Sequence, residues 1–535
     1  MDAPENAPRE PSSDSSGRRN RGRQRQGRQT TQQSAVERRP PAQASETEAG
    51  NDGFQLRLDL NLEYLHESQV SRTWHETISG SPELQYAIKL WKDGLEPGCS
   101  DSTPIFDKLQ AVYKRRHAWQ NLEWTSKTAV EMPSLEFSPT YTLVGGFMTL
   151  RKGAYLCTLS LHALDRDPLV GVTKHALVLG LEMPHFDILT TDPTQDLLVV
   201  LYRQDLQSAI LAFRSLSTNQ PHPKACEPNI RFELDEEEES RSIQIADDVI
   251  GVSFIQPEVF DVRLWNWQTG ISLADLSTNA VDADFRFLSP CAFTVCVPTA
   301  DGGQIEIYTI AVASLTQVAI LHLPDLADGW DLNGIRIDSG SISGRPTQGP
   351  FSSASEQRIY VFLLRYRFGI NPLRLVVHYR TLARYVQEAR ATPVVVPWED
   401  WGPRGTRILD AHEFSWMRKV FLRALPTMTD RVLIRRVNRE HPHGERLLVP
   451  ATDGKYIRLL DFNVIPGLFT NHTGTLIQES STVTRPFRNP VSTSLPFRLT
   501  AHAIDEEFDV PMIDEAHMVG SRWGINKMTV FTFRQ

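Results

Sequence analysis

Two kinds of hydrophobic pattern meet in this chain, with the change at about residue 136. Before this point, apolar residues recur at three- to five-residue steps, as on one face of a helix, at Leu62, Leu65, Val70, Trp74 and Ile78. After it, short apolar or alternating runs are separated by turns rich in Gly, Pro, Asp and Asn, which is typical of many short strands. The pattern predicts a small helical segment followed by a β-rich domain.

Capping residues define the helical segment, which we place at residues 54–130. Ser81-Pro82 predicts a helix start because Ser can cap a helix and Pro is tolerated at the first helical position. Ser102-Thr103-Pro104 predicts a second start. Trp119 and Trp124 follow the second helix, and we expect them to seal the segment onto the next domain.

The predicted strands of residues 136–535 come in pairs. The first members of the pairs start at residues 144, 197, 249, 293, 359 and 431, and each is followed by a second apolar run. A period of about 40–50 residues with several strands is the range expected for propeller blades, and the drift indicates insertions. We therefore predict a mainly β fold, an irregular β-propeller of about six to seven blades. A jelly roll or sandwich would also give alternating strands, but regular pairing over so long a stretch favours radial repetition.

Residues 1–53 have a different composition. They are rich in Ser, Gln, Pro, Gly and Arg and contain few large apolar side chains, so they predict a disordered tail. Six arginines between residues 18 and 28 occur with no acid among them, which is consistent with a nuclear-import signal, a weak RNA contact or a solvated tail. The chain's net charge of −9 argues against a chain-wide nucleic-acid surface.

Other features limit the function class. The acidic run 235–239 is expected either to meet a basic partner or to be a solvated loop. No uninterrupted apolar run of about 18 residues is present, so no membrane span is expected. The N-terminus has no apolar core of a secretory signal. The five cysteines, an odd and scattered set, predict reduced thiols and hence a cytoplasmic or nuclear location.

The sequence contains none of the common motifs that carry chemistry. A phosphate-binding Gly-rich loop, a His-Glu-x-x-His helix, a nucleophile elbow and the kinase signatures do not occur. The pairs Cys291/Cys296 and His441/His443 lack the further ligands that a metal would need. The sequence thus predicts no catalytic residue, cofactor or metal, and an enzyme assembled from distant blades is the minority hypothesis.

Residues of the helical segment carry a family resemblance. The stretch 70–78, VSRTWHETI, followed by 79–86, SGSPELQY, resembles the second half of an F-box as found in many mushroom-forming fungi (basidiomycetes). Further similar stretches are 93–95, 115–124, 141–146, 264–270 and 512–515. The likeness covers about residues 62–535. An F-box normally opens with Leu-Pro and an acidic, apolar helix, whereas residues 47–60 contain no Leu-Pro, so the first half of the box is degenerate or missing.

The resemblance implies a substrate receptor of an SCF-type ubiquitin ligase, acting in ubiquitin-dependent protein degradation. Such a receptor docks its F-box helices on a Skp-type adaptor, and through it on a cullin, while the downstream domain binds an unnamed target protein. By the resemblance, Leu65, Val70, Trp74 and Ile78 are expected to contact the adaptor or to form the small core beneath that contact. The incomplete box motivates an alternative, a ligase-independent propeller scaffold.

Overall fold

The structure is a computed structural model, and it describes most of the chain from residue 72 onward. The described residues are 72–98, 102–133, 141–152, 155–167, 171–176, 186–205, 207–235, 238–311, 314–340, 342, 350–367, 372–387, 392–409, 443–450, 456–464, 474–508, 510–522 and 525–533. The predicted tail, residues 1–53, lies outside them. Within this part of the chain, no helix is long and apolar enough to cross a membrane.

Three helices open the described part: α1 (Arg72–Gly80), α2 (Pro82–Lys92) and α3 (Ile105–Asn121), with strand β1 (Leu95–Pro97) before α3. Both predicted helix starts are confirmed. Ser81 caps α2, since its Oγ accepts a hydrogen bond from the Leu84 N–H at 3.3 Å, and α3 begins directly after Pro104. A left-handed residue, Leu122, ends α3.

The described residues after α3 form seven blades, each an antiparallel sheet of four strands before additions. Blade one contains β3 (Tyr141–Val144), β4 (Phe147–Lys152), β5 (Tyr155–Ser160) and β6 (Thr173–Ala176), with α4 (Leu161–Arg166) after β5. Blade two contains β7 (Phe186–Asp192), β8 (Leu197–Arg203), β9 (Ser208–Ser215) and β10 (Asn229–Glu233). Blade three contains β11 (Glu239–Ala246), β12 (Val249–Ile255), β13 (Phe260–Asn266) and β14 (Ser272–Thr278).

Blade five carries the longest insertions, and one of their strands extends blade four. Blade four contains β15 (Asp284–Ser289), β16 (Ala292–Val297), β17 (Gln304–Ala311) and β18 (Ser314–His322). Blade five contains β19 (Leu332–Ser339), β21 (Ile359–Tyr366), β22 (Leu373–His378) and β24 (Thr406–Leu409), interrupted by β20 (Phe351–Ser353) and by α5 (Tyr379–Gln387), β23 (Val394–Val396) and α6 (Trp398–Gly405). Strand β23 adds to blade four, parallel to β18.

Blades six and seven complete the ring. Blade six contains β25 (Arg446–Pro450), β26 (Tyr456–Asp461), β30 (Phe497–Ala503) and β27 (Thr475–Ile477), with a separate hairpin of β28 (Ser481–Val483) and β29 (Val491–Thr493). Blade seven contains β31 (Val510–Ile513), β32 (His517–Ser521), β33 (Met528–Thr532) and, from the other end of the propeller, β2 (Ser126–Val130).

Strand β2 closes the ring and corrects the predicted boundary. It pairs antiparallel with β33, from Ser126 opposite Thr532 to Val130 opposite Met528. The sequence placed residues 126–130 in the helical segment and started the β domain at 136. The strand escaped notice because it is short and polar, with only Val130 buried. Its pairing ties the two ends of the propeller together, so that blade seven is not left with an unpaired edge at β33.

The hydrophobic core lies between neighbouring blades. Each of the seven junctions among the described residues has its own cluster of buried side chains. At the junction of blades two and three, for example, Leu197, Val199 and Leu201 of β8 are fully buried and lie in one cluster with Trp265 and Trp267. Leu198 and Val200 of the same strand lie in the cluster that faces blade one. Because both faces of each sheet are covered, such strands are continuous apolar runs.

The predicted strand pairs correspond to the central strands of the blades. Five of the six pairs are β4/β5, β8/β9, β12/β13, β16/β17 and β21/β22. The first member of the sixth, 431–436, lies outside the described residues, and its companion is β26, which pairs with β25 and β30. The fold class, a mainly β propeller behind a few helices, is confirmed, with seven blades in the described part.

Candidate functional site

The helical segment is joined to the propeller by buried aromatic contacts, as predicted for Trp119 and Trp124. Trp119 is fully buried; its ring stacks on Phe533 with 3.9 Å between centroids, and its Nε1 donates to the Glu515 carbonyl at 3.2 Å. The Arg446 guanidinium of blade six lies over the same ring at 5.0 Å. Trp124 meets Phe531 of β33 edge-on at 4.8 Å. These contacts make α3 part of the junction between blades six and seven.

A second contact joins α2 and α3 to the first insertion of blade five. Tyr86, Leu90, Leu109 and Val112 share a buried cluster with Phe351 of β20. Strand β1 also pairs with β20, so the backbone of the segment is hydrogen-bonded to the insertion. The segment from α2 onward is therefore an integral part of the propeller and not a separately tethered domain.

Of the four predicted adaptor-binding side chains, the structure describes only that of Ile78. Leu65 and Val70 lie outside the described residues. Trp74 lies within α1, and its side chain is outside what the structure describes. Ile78 is 9% exposed, so it packs inside the helical segment. The other described side chains of α1 are exposed, which leaves this helix with a free polar face.

A cavity of about 190 Å³, lined by both polar and apolar side chains, lies where the inner strands of several blades converge. Its lining includes residues of β3, β7, β11 and β19, together with residues 352–355 of the blade five insertion. Its charged groups bind other protein groups: Arg286 donates to the Ser339 hydroxyl at 2.9 Å and to its carbonyl at 2.8 Å. Arg358 likewise donates to the Ser355 carbonyl at 2.6 Å. Hydrogen bonds thus hold these two charged groups in place.

A groove of about 550 Å³ lies between the outer strands of blades two and three. One wall carries the aromatic rings of Phe232 and Trp265, whose centroids are 5.0 Å apart. Four carboxylates also line it: Glu233, Asp235, Asp261 and Asp275. All except the half-buried Asp261 are exposed. The groove therefore combines an apolar wall with a strongly negative rim.

Among the described residues that line this groove, the one basic side chain is already neutralised. Arg263 donates from Nη2 to both carboxylate oxygens of the fully buried Glu238, at 2.7 and 3.0 Å. Its guanidinium also lies over the rings of Phe232 and Phe254, at 5.6 and 4.9 Å. The charges of Arg263 and Glu238 cancel, so the four rim carboxylates are left without a compensating cation among the described residues that line the groove.

A buried ionic cluster lies at the junction of blades seven and one. The Nε2 atom of His517 is 2.9 Å from Asp165 Oδ2, and its Nδ1 is 3.1 Å from Asp514 Oδ1. Burial alone would lower the pKa of His517, but the charges of Asp514 and Asp165 outweigh it and raise the pKa to about 10. His162, Asp165 and His517 are the group of described residues that could hold a metal ion, with ligand atoms within 4.8 Å of one another.

Sequence reasoning found only part of these sites. The acidic run 235–239 supplied Asp235 of the groove, but Asp261 and Asp275 come from β13 and β14, the last two strands of blade three. The metal-capable group was missed because His517 is more than 350 residues from His162. The only local signal is the His-x-x-Asp spacing of residues 162–165. The described members of the predicted thiol set behave as free cysteines, with Cys157 and Cys296 buried.

Comparison with known proteins finds remote structural similarity. No family model and no curated protein matches the chain. The chain is similar to the Dos1 propeller, at 8% identity and a TM-score of 0.36, covering 78% of this chain and 96% of that one. It is also similar to the propeller domain of Cps50 (Swd1) from Myceliophteria thermophila, at 8% identity and a TM-score of 0.35, covering 76% and 99%. A chain of a mitotic checkpoint complex gives 5% identity and 0.37, covering 77% and 95%.

Proposed function

We propose that this protein is a receptor that binds another protein on its propeller, through the groove between blades two and three. The observation that carries the proposal is the combination of the aromatic wall of Phe232 and Trp265 with four carboxylates that no cation among the described lining residues compensates. A groove of about 550 Å³ is in the size range of specific ligand sites. It is large enough to admit side chains of a partner rather than only solvent.

The chemistry of the groove selects a basic partner segment. A Lys or Arg side chain can place its charge among the carboxylates while its aliphatic stem or guanidinium plane packs on the aromatic rings. Since the carboxylates are mostly exposed, their attraction is long-ranged and is screened by salt. We therefore infer that binding combines fast, salt-sensitive association with a modest apolar contact.

Binding of a fluorescent Lys/Arg-rich peptide to the purified full chain, followed by anisotropy, tests this proposal. We expect the affinity to fall as salt rises and to be lost in the double variant Asp261→Lys with Asp275→Lys. The matched control is Asp301→Lys with Asp328→Lys, which makes the same charge change at exposed loop positions outside the groove. Equal weakening in both double variants would mean that the groove is not the site.

As the finer form of the proposal, the helical segment docks on a Skp-type adaptor, and the protein is a substrate receptor of an SCF ubiquitin ligase. Support comes from the F-box-like residues 70–86 and from the free polar face of α1. A bound target would be held at a defined position relative to the adaptor, because α2 and α3 are packed on the propeller. The chain itself would transfer no ubiquitin, and its free thiols suit the cytoplasm or nucleus.

Mixing the purified chain with a purified Skp-type adaptor tests this finer form. We expect a one-to-one complex that Trp74→Ala weakens. The alternative, a ligase-independent scaffold, predicts that removal of residues 1–80 leaves basic-peptide binding intact and that the adaptor never binds. The deletion should end at residue 80, because β1 and α2 pack against blade five and their loss would disturb the propeller.

A further inference from the structure

The buried cluster at the junction of blades seven and one has the composition of a metal site. His162 and Asp165 lie three residues apart on α4, and His517 is the first residue of β32. The rings of the two histidines are 5.4 Å apart between centroids, at an angle of 60°. Two imidazoles and one carboxylate are thus brought together from opposite ends of the propeller.

Hydrogen bonds fix the orientation of His517 and Asp165. Asp514 binds the Nδ1 side of His517, at 3.1 and 3.2 Å, which directs Nε2 toward Asp165. A carboxylate on the far nitrogen is the usual partner of a metal-binding histidine. Asp165 is oriented in the same way, since its Oδ1 accepts from the Thr532 hydroxyl at 2.7 Å and its Oδ2 faces His517.

Asp514 is itself held by the backbone of both blades. Its Oδ1 accepts the N–H groups of Ala516 and His517 at 2.9 and 2.7 Å, and its Oδ2 accepts the Gly146 N–H of blade one at 3.1 Å. Gly146 has a positive φ, and a side chain there would collide with the His162 ring. Because Gly146 has no side chain, the His162 ring can lie beside the cluster.

The cluster is open on one side. His517 is fully buried, Asp165 keeps 20% of its side chain exposed, and His162 is exposed. An ion could therefore enter from solvent, and His162 could move toward it without disturbing the core. The ligand atoms now lie within 4.8 Å of one another. Metal binding would have to bring each of them to about 2.0–2.2 Å from the ion.

We propose that His162, Asp165 and His517 form a binding site for a divalent transition metal, with zinc as the expected ion. Zinc accepts imidazole and carboxylate ligands in a tetrahedral arrangement, and water would take the fourth position. The ion replaces the proton on Nε2 of His517, which leaves to solvent. The two carboxylates, Asp165 and Asp514, balance the charge of the ion. Bound there, the ion joins blade one to blade seven beside the closing strand β2.

Calorimetric titration of the metal-free full chain with Zn²⁺ tests the proposal. We expect one ion per chain, a rise in melting temperature on binding, and at least a 100-fold loss of affinity in His162→Ala. His162→Ala is chosen because this side chain is exposed and its loss should leave the metal-free fold unchanged. Asp514→Asn should weaken binding about 10–100-fold through the orientation of His517.

His117→Ala, at an exposed histidine of α3, is the matched control and should bind zinc like the unaltered chain. Cobalt provides an independent spectroscopic readout, since a tetrahedral Co²⁺ complex absorbs visible light and should be lost in His162→Ala. If the unaltered chain binds no zinc, or if His162→Ala and His117→Ala bind it equally, the cluster is only an ion-pair network and the proposal is wrong.

Discussion

Trp119 offers the sharpest test of the claim that the helical segment is part of the propeller. Replacing it with Ala removes the stack on Phe533, the hydrogen bond to the Glu515 carbonyl and the contact with Arg446. Truncating a fully buried Trp costs about 3–5 kcal/mol. For the compact unit Leu58–Gln535, an unfolding entropy of about 2.1 cal/mol/K per residue gives about 1 kcal/mol/K. The melting temperature should therefore fall by about 3–5 °C.

Differential scanning calorimetry of the full chain measures this shift. Phe106→Ala is the matched control on the same helix, because Phe106 is 59% exposed and its loss should change stability by less than about 0.5 kcal/mol. A shift below about 1 °C in Trp119→Ala, or a separate early transition for the helices with the main transition unmoved, would refute the claim. The segment would then be an attachment that unfolds independently.

Two further substitutions test the propeller itself. Gly251→Ala places a methyl group under 3 Å from the rings of Phe285 and Phe287. We therefore expect urea unfolding to show about 1–3 kcal/mol of destabilisation. An unchanged free energy of unfolding would contradict the close packing of these rings on Gly251. Burial raises the pKa of Asp282, but the charges of Arg241 and Arg365 outweigh it and lower the pKa below its ordinary value. Its stabilising contribution is thus present above about pH 4 and is lost as pH falls through the lowered pKa. In Asp282→Asn, the free energy of unfolding should therefore fall less steeply as the pH is lowered below about 4. An unchanged pH dependence would contradict this reasoning.

The sequence predicted the central strands of the blades because these strands are covered on both faces. Five predicted pairs were the two middle strands of a blade, where continuous apolar runs such as 197–202 are buried on both sides. Strands with an exposed face carry a weaker signal. β14, for example, has no fully buried residue, and β2 is mostly polar. Their pairing depends on partners that only the closed ring supplies.

The candidate sites were less predictable because their residues are distant in the chain. The acidic run pointed to one carboxylate of the groove, but its aromatic wall combines Phe232 of blade two with Trp265 of blade three. His517 approaches Asp165 only because blade seven closes on blade one. A sequence pattern reports local periodicity, whereas both sites arise at junctions between blades.

The central claim is that the propeller binds a protein through the groove. Quantitative affinity purification of the full chain tests this claim most directly. The unaltered chain, Asp261→Lys with Asp275→Lys, and Asp301→Lys with Asp328→Lys would be compared under identical salt. We predict that one or more partners with Lys/Arg-rich segments are recovered with the unaltered chain and the control, and are lost with the groove variant. A Skp-type adaptor should remain with all three. Recovery of the same partners at the same level by the groove variant would contradict the account.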